Sequence, residues 1–253
     1  MTHDHEQRPL SELQSHVAGK YIEAIGDIEE LELLGGRLCL DFVNTVESRS
    51  DLVTGEPPKG YKEYLMNYED LVHWGGHVQL LSAEQQTALL QAAARMPEAA
   101  HSCFERAIAF RETLCRVFSA IASGGAPAAA DLEAVQSAYM ETMAQGQLAA
   151  ATDGAGLAWR WQPPEDALDQ VLWPVVRSAV ELLTAPEVAR VKVCPGVGDC
   201  GWLFLDTSKN GRRRWCSMES CGSRVKMRRY YARTHTGQAE DSGGEHGGDD
   251  GKD

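Results

Sequence analysis

Apolar residues recurring at helical spacing along most of the chain, a few short alternating runs, and four cysteines crowded into the 28 residues from 194 to 221 predict an α+β protein. It has a predominantly α-helical body with a few short strands, plus a C-terminal treble-clef-like zinc module. The 253 residues exceed the usual single-domain size but fall short of two full domains, which suits one body and one small module. Hydrophobic residues at 43% and charged residues at 24% are globular values, unlike those of a disordered or membrane chain. No apolar run reaches membrane-spanning length, and the polar start MTHDHEQRPLSELQSHVAGK lacks a secretory pattern. The expected location is therefore the cytoplasm, with no membrane partner.

Residues 1–30 read as a polar segment in which Ser11 would open a short helix. The body is read over residues 31–186. LELLGG is an extended segment and a turn, after which Cys39, Phe42, Val43 and Val46 keep helical spacing. GEPPKG is a loop by composition. Ser82 with Gln85 makes a capping box ahead of an Ala- and Leu-rich helix. Upstream of it, His73 and His77 stand four apart, but Gly75-Gly76 between them argues against helix and so against a shared metal.

A longer helix covers PEAAHSCFERAIAFRETLCRVFSAIA, where Phe104, Ile108, Arg111, Leu114, Cys115 and Phe118 follow the helical rhythm. Asp131 is the expected cap of the next helix, DLEAVQSAYMETMAQ. After a glycine-containing loop, GLAWRWQPP alternates as a short strand with Leu157, Trp159 and Trp161 on one side. DALDQVLWPVVRSAVELL returns to helix, with Pro174 kinking it or marking its start. Residues 236–253 are Gly-rich and acidic without a large apolar residue, the composition of a disordered tail.

Cytoplasmic thiols stay reduced, so seven cysteines do not make a disulfide framework. Cys39, Cys103 and Cys115 sit among apolar neighbours and read as small buried hydrophobes. Cys194, Cys200, Cys216 and Cys221 form two close pairs, CPGVGDC and CSMESC, separated by fifteen residues. That spacing points to one structural Zn²⁺ with a closed four-thiolate shell, and an iron–sulfur cluster is the alternative. A module over residues 190–233 has little core of its own, so zinc would act as its staple, contributing on the order of 10 kcal/mol. Within it, Trp202 to Leu205, a Lys209-Asn210-Gly211 turn and Arg212 to Trp215 read as a β-hairpin. GSRVKMRRYYAR after Cys221 reads as a helix.

The net charge of −13 hides a division along the chain. Residues 190–233 hold eleven Lys or Arg against three acids, and the module stays basic even after four thiolates and Zn²⁺ are counted. Alternation along a strand lets at most two of Arg212, Arg213 and Arg214 share a face. On the helix, Arg224 and Arg228 make one row while Lys226, Arg229 and Arg233 lie on a neighbouring sector, flanking an aromatic stripe. Cations on both sides of a stripe suit phosphate contacts along a groove, which makes double-stranded DNA the leading partner. RNA and a protein-only contact are the alternatives. The acidic tail would compete with DNA for this surface.

CGWLFLDTSKNGRRRWCSMESCGSR resembles the CGNR zinc finger, and GGRLCLDFVNT resembles the opening of the ABATE domain that precedes that finger in stress-induced transcription regulators of bacteria. The resemblance implies the four cysteine ligands named above, transcription regulation, and an N-terminal domain that senses a small molecule. The signature tetrapeptide falls on Cys221, Gly222, Ser223 and Arg224, so Ser223 stands where the family name has Asn. Ser223 keeps a hydroxyl for a cap or a phosphate but loses the bidentate amide that reads a base. Asp41, Asn44 and Thr45 interrupt an apolar run and are the candidate ligand-binding residues; the competing reading makes them a cap and internal hydrogen bonds that fix the turn after Gly35-Gly36.

No GxSxG, HExxH, P-loop or Rossmann fingerprint is present, so no catalytic residue is assigned and no enzyme is expected, with a small-molecule enzyme in the body as the remote alternative. A regulator of this kind predicts a body that folds without the finger but no longer binds DNA. A single finger reads few base pairs, so a homodimer would supply a second half-site.

Overall fold

The computed structural model describes residues 24–47, 62–151, 156–161, 163–164, 166–196 and 200–235. The helix opened by Ser11, the GEPPKG loop and the acidic segment 236–253 lie outside the described residues. Seven α-helices and three small sheets are described: α1 (Leu38–Val43), α2 (Tyr68–His77), α3 (Ala83–Arg95), α4 (Pro97–Ala122), α5 (Ala129–Ala144), α6 (Leu172–Leu183) and α7 (Ser223–His235). Strands β1 (Ala24–Ile25), β2 (Val46–Glu47) and β3 (Lys62–Glu63) form one sheet in the order β1-β3-β2, parallel then antiparallel. Strands β4 (Gly146–Ala150) and β5 (Leu157–Trp161) form an antiparallel hairpin, as do β6 (Val191–Val193) and β7 (Leu203–Leu205).

Helix α4 is the spine of the body and spans the predicted segment, with Pro97 at its first position where the missing N–H is harmless. Its apolar rhythm admits one charge, Arg111, which is buried. The guanidinium forms a bidentate pair with Glu63 of β3, at 2.7 and 2.8 Å, and donates to Thr45 Oγ1 at 3.1 Å. Paired and hydrogen-bonded in this way, a buried charge keeps its solvation partly replaced by protein groups. Around α4 the core runs continuously from Leu40, Phe42 and Trp74 through Leu114 and Phe118 to Leu203 and Phe204. Phe42 and Trp74 pack with ring centroids 5.1 Å apart.

Several expectations hold and several change. The Ser82/Gln85 capping box is present, and Pro174 lies in the first turn of α6, marking its start. Asp131 does not cap α5; Ala128 precedes the helix, and Asp131 instead meets Arg116 at 2.6 Å. The segment before GLAWRW, expected as a loop, is strand β4, because β5 needs a partner for its backbone groups. Trp159 and Trp161 do share a side, their rings 6.0 Å apart.

Gly75 and Gly76 lie inside helix α2, against expectation. A Cβ at Gly75 would come within 2.8 Å of Leu81 Cδ1 and 3.1 Å of Val171 Cγ1, whereas one at Gly76 would meet only the movable end of Gln86. Close approach of Leu81 and Val171 therefore selects glycine at position 75 and outweighs a helix penalty of about 1 kcal/mol. His73 is exposed, and His77 Nε2 meets Leu31 O at 2.8 Å.

Candidate metal centre and nucleic-acid interface

The hairpin of the C-terminal module differs from the expected one. Strand β7 pairs with β6 upstream, in the register Val191↔Leu205 and Val193↔Leu203, whereas Arg212 to Trp215 form no strand. All three residues of β7 are buried, and its strand partner β6 brings buried Val191 opposite Leu205, where a run of three arginines would bring charge against the core. Cys194 follows β6 and Cys200 precedes β7, which puts the first close pair at the end of this hairpin. Cys194 N donates to Trp202 O at 2.8 Å and Gly201 N to Cys194 O at 3.2 Å, closing the knuckle.

Cys216 and Cys221 come from the second close pair. Ser217 Oγ accepts from the N–H groups of Glu219 and Ser220, and Gly222 N reaches back to Ser217 O, producing one wide helical turn over Met218–Gly222. Helix α7 continues directly from it. The turn directs Cys221 toward the other three sulfurs and ties the helix to the metal centre.

The four Sγ atoms lie within 4.8 Å of one another. Cys216 Sγ is 3.8 Å from Cys200 Sγ and 3.7 Å from Cys221 Sγ. A tetrahedral zinc with Zn–S bonds of about 2.3 Å has sulfur–sulfur edges of about 3.8 Å, so the cluster has the size of one zinc ion. An iron–sulfur cluster would interpose several irons and sulfides and spread the cysteines further apart. Gly196 lines the cradle: a Cβ there would stand 2.9 Å from Cys221 Sγ and 2.8 Å from Cys200 Cβ. Cys216 N–H also points at Cys194 Sγ, 3.3 Å away, an outer contact that favours thiolate. The sulfur contacts with Cys200, Cys216 and Cys221 hold Cys194 far below the ordinary thiol range and push Cys200 far above it. A divalent cation is what lets all four carry charge together. With the shell closed by protein, this zinc is structural, and Cys39, Cys103 and Cys115 stand apart from it, the first two buried and pushed up to about 12 and about 11 by burial.

The module does not hang from the body as a separate unit. Asn44, fully buried at the end of α1, donates from Nδ2 to Leu203 O at 2.8 Å and accepts at Oδ1 from Leu203 N at 2.9 Å. Its amide thus serves β7 as a neighbouring strand would. On the same edge Leu205 N donates to Gly35 O at 2.8 Å, and Trp202 Nε1 donates to Val46 O at 2.7 Å. Asp41 Oδ1 in turn accepts from Gly35 N at 2.7 Å. Burial pushes the Asp41 carboxyl up to about 6, although the Gly35 N–H works against the rise.

Asp41, Asn44 and Thr45 are therefore all engaged internally, Thr45 between Phe42 O and Arg111. They hold the turn and β7 rather than converging on an open cavity. A depression of about 240 Å³ is lined by Arg37, Ser178, Glu181, Leu182 and Ala185 and includes none of the three.

The arginine run divides by side chain. Arg212 and Arg214 are exposed, Arg214 lying 5.3 Å from the centre of the Trp215 ring. Arg213 turns inward: its guanidinium lies 4.7 Å over Phe204 and donates to Trp215 O at 2.9 Å and to Cys216 O. Its guanidinium is thus engaged within the module. On α7, Arg224, Lys226 and Arg228 are exposed, as is Arg233. Arg224 and Arg228 flank one side of a stripe formed by Met227, Tyr230 and Tyr231, while Lys226 and Arg233 flank the other. The stripe is 51–57% exposed, and the two tyrosine rings meet edge-on at 6.1 Å. Arg229 belongs to the same helix, but its side chain lies outside the described residues. Ser223 Oγ is used at home, donating to Glu219 O and to Ser220 O at 3.0 Å, which closes the wide turn onto α7.

Residues 36–186 match the ABATE family, described as "Putative stress-induced transcription regulator". The chain belongs to this family. Residues 190–234 match the CGNR zinc finger, so this ABATE protein is in general terms a zinc-finger regulator. No curated protein matches the chain. Among the described residues no helix is long and apolar enough to cross a membrane.

Two groups organise the ABATE protein's finger. One is Asn44, which the sequence offers for a ligand or for the turn after Gly35-Gly36 but whose partners lie 159 residues away. The other is Asp206, to which sequence reasoning assigns no role. Asp206 is fully buried; burial alone would push it up, but the Lys192 ammonium and the Ser208 hydroxyl and N–H hold its carboxyl well below the usual carboxylate range. A signal was available for Asp206: Asp-Thr-Ser directly after a strand is turn chemistry, in which a carboxylate takes the N–H two residues on.

Proposed function

We propose that the protein is a transcription regulator that binds double-stranded DNA through α7 and the Arg212/Arg214 loop. The observation that carries the reading is the exposed face of α7, with cations in rows on both sides of an exposed Met-Tyr-Tyr stripe. A helix so built can span a major groove, its flanks on the two phosphate backbones and its centre toward base edges. The zinc centre supports this by tying both the start of α7 and the arginine loop to one rigid point. No catalytic role is assigned to any residue. The proposal extends to a body that responds to a small molecule and to a dimer that supplies a second half-site, which light scattering on DNA checks.

The test is binding to a random duplex pool across a salt series, with Arg224→Ala/Arg228→Ala as the variant and metal content checked. Each lost phosphate contact lessens the slope of log K against log salt by about 0.9, so the variant's slope is expected to fall by about 2. Salt-steep binding that enriches a sequence and weakens in the variant supports the reading. A zinc-loaded protein that retains no duplex even at low salt refutes it. In that outcome the exposed Met218, Met227, Tyr230 and Tyr231 favour a protein partner instead.

A further inference from the structure

The loop that carries the arginine run is closed on a buried ion pair. Both carboxylate oxygens of Asp206 are in use: Oδ2 meets Lys192 Nζ at 2.6 Å and accepts from Arg213 N at 3.0 Å. Oδ1 accepts from Ser208 N at 3.0 Å and from Ser208 Oγ at 2.5 Å. Lys192 Nζ also donates to Gly211 O at 2.7 Å and Arg213 O at 3.0 Å, and Ser208 Oγ accepts from Arg212 N at 3.2 Å. The backbone is thus gripped at residues 211, 212 and 213 by three side chains: Lys192 in β6, Asp206 at the end of β7 and Ser208 two residues further on. With Arg213 held inward over Phe204, that grip leaves the side chains on either side of it, Arg212 and Arg214, facing out.

We infer that Asp206, with Lys192 and Ser208, is a positioning group for nucleic-acid binding: it holds Arg212 and Arg214 as a preformed pair for phosphates. The inference rests on the DNA reading above. It makes a prediction opposite in sign to that from charge alone. Asp206 is an anion beneath a surface that faces a polyanion, so by Coulomb's law its removal should tighten binding. Positioning requires the reverse, because a loosened loop must be ordered at the moment of contact.

The experiment uses the full zinc-loaded chain with Asp206→Asn, and Ser208→Ala as a variant that changes no charge and spares the ion pair. Zinc per chain, the rate of tryptic cleavage after Arg212 and Arg214, and duplex affinity are read together. The expected result is one zinc per chain, faster cleavage at both arginines, and duplex binding weakened about tenfold. In an Arg212→Ala/Arg214→Ala background the same substitutions should add no further loss. Duplex binding by the parent with equal or tighter binding by zinc-loaded Asp206→Asn and Ser208→Ala overturns the inference and leaves the DNA reading standing. So does an undiminished loss in the double-alanine background. If Asp206→Asn fails to retain zinc, Ser208→Ala decides alone. No duplex binding by the parent overturns the DNA reading and this inference with it.

Discussion

Replacing Asn44 by alanine tests whether the finger and the body are one cooperative structure. The substitution removes a side chain that is 1% exposed and leaves Leu203 N–H and C=O, at a residue with no exposure, without their partners. Each buried group so orphaned costs about 1–3 kcal/mol, and part is recovered because the Asn44 amide no longer needs burying. A net loss of about 3 kcal/mol is expected, a large share of a stability that is usually about 5–15 kcal/mol. For a chain of this size that corresponds to a fall in Tm of roughly 6–12 °C. Urea denaturation of the zinc-loaded protein, followed by far-UV circular dichroism, reads the loss. Zinc transfer to a chelator reads whether β7 and the metal centre loosen with it. Asn44→Asp should do no better than alanine, since it keeps an acceptor for Leu203 N–H but sets a second oxygen against Leu203 C=O. A single-alanine variant within about 0.5 kcal/mol of the parent, with unchanged zinc transfer, would refute the argument that Asn44 stitches β7 into the body.

Two further outcomes follow from the same contacts. Stripping zinc, or replacing Cys216 by serine, should remove a stabilisation on the order of 10 kcal/mol from the finger and, because the core is shared, lower the melting temperature of the body as well; a metal-free chain that keeps its native near-ultraviolet dichroism and body Tm would contradict the shared core. The Asp41 carboxyl has its folded pKa raised from 3.8 to about 6, so its contribution is fully present at pH below about 4 and is lost as pH rises through about 6. Asp41→Asn, which keeps an acceptor for Gly35 N–H, should therefore gain on the parent by on the order of 2–3 kcal/mol between pH 4 and pH 7. Denaturation of both proteins across that range checks it, the difference cancelling the pH dependence of the zinc centre, and a constant difference would sink the idea.

The finger departs from its sequence reading at the strand pairing, and the reason is instructive. Lys209-Asn210-Gly211 does make a turn, and local chemistry alone favours folding Trp202 to Leu205 back on Arg212 to Trp215. That rule weighs only near neighbours. Leu203, Phe204 and Leu205 are all buried, and β6 beside them passes from buried Val191 to exposed Val193, so the pairing is set by segments that meet only when the core closes. Arg111 shows the same limit in the body: its helical position named it as inward-facing, while its partner Glu63 lies 48 residues upstream.

What the sequence by itself determined is what depends on local spacing. That includes the periodicity of α4, the capping box that opens α3, the four thiol ligands, the basic composition of the last module, and the family likeness. Ligand identity is legible because a metal needs particular donor atoms in close pairs, and those are written consecutively. The tertiary structure alone decided which strand pairs with β7, that Asn44 and Thr45 serve internal contacts, and that Arg213 turns in while Arg212 and Arg214 turn out. It also decided that Asp206 and Lys192 lie beneath that loop. Each of these turns on burial and on satisfying backbone hydrogen bonds between segments far apart in the chain, and such groups acquire partners only when the core closes.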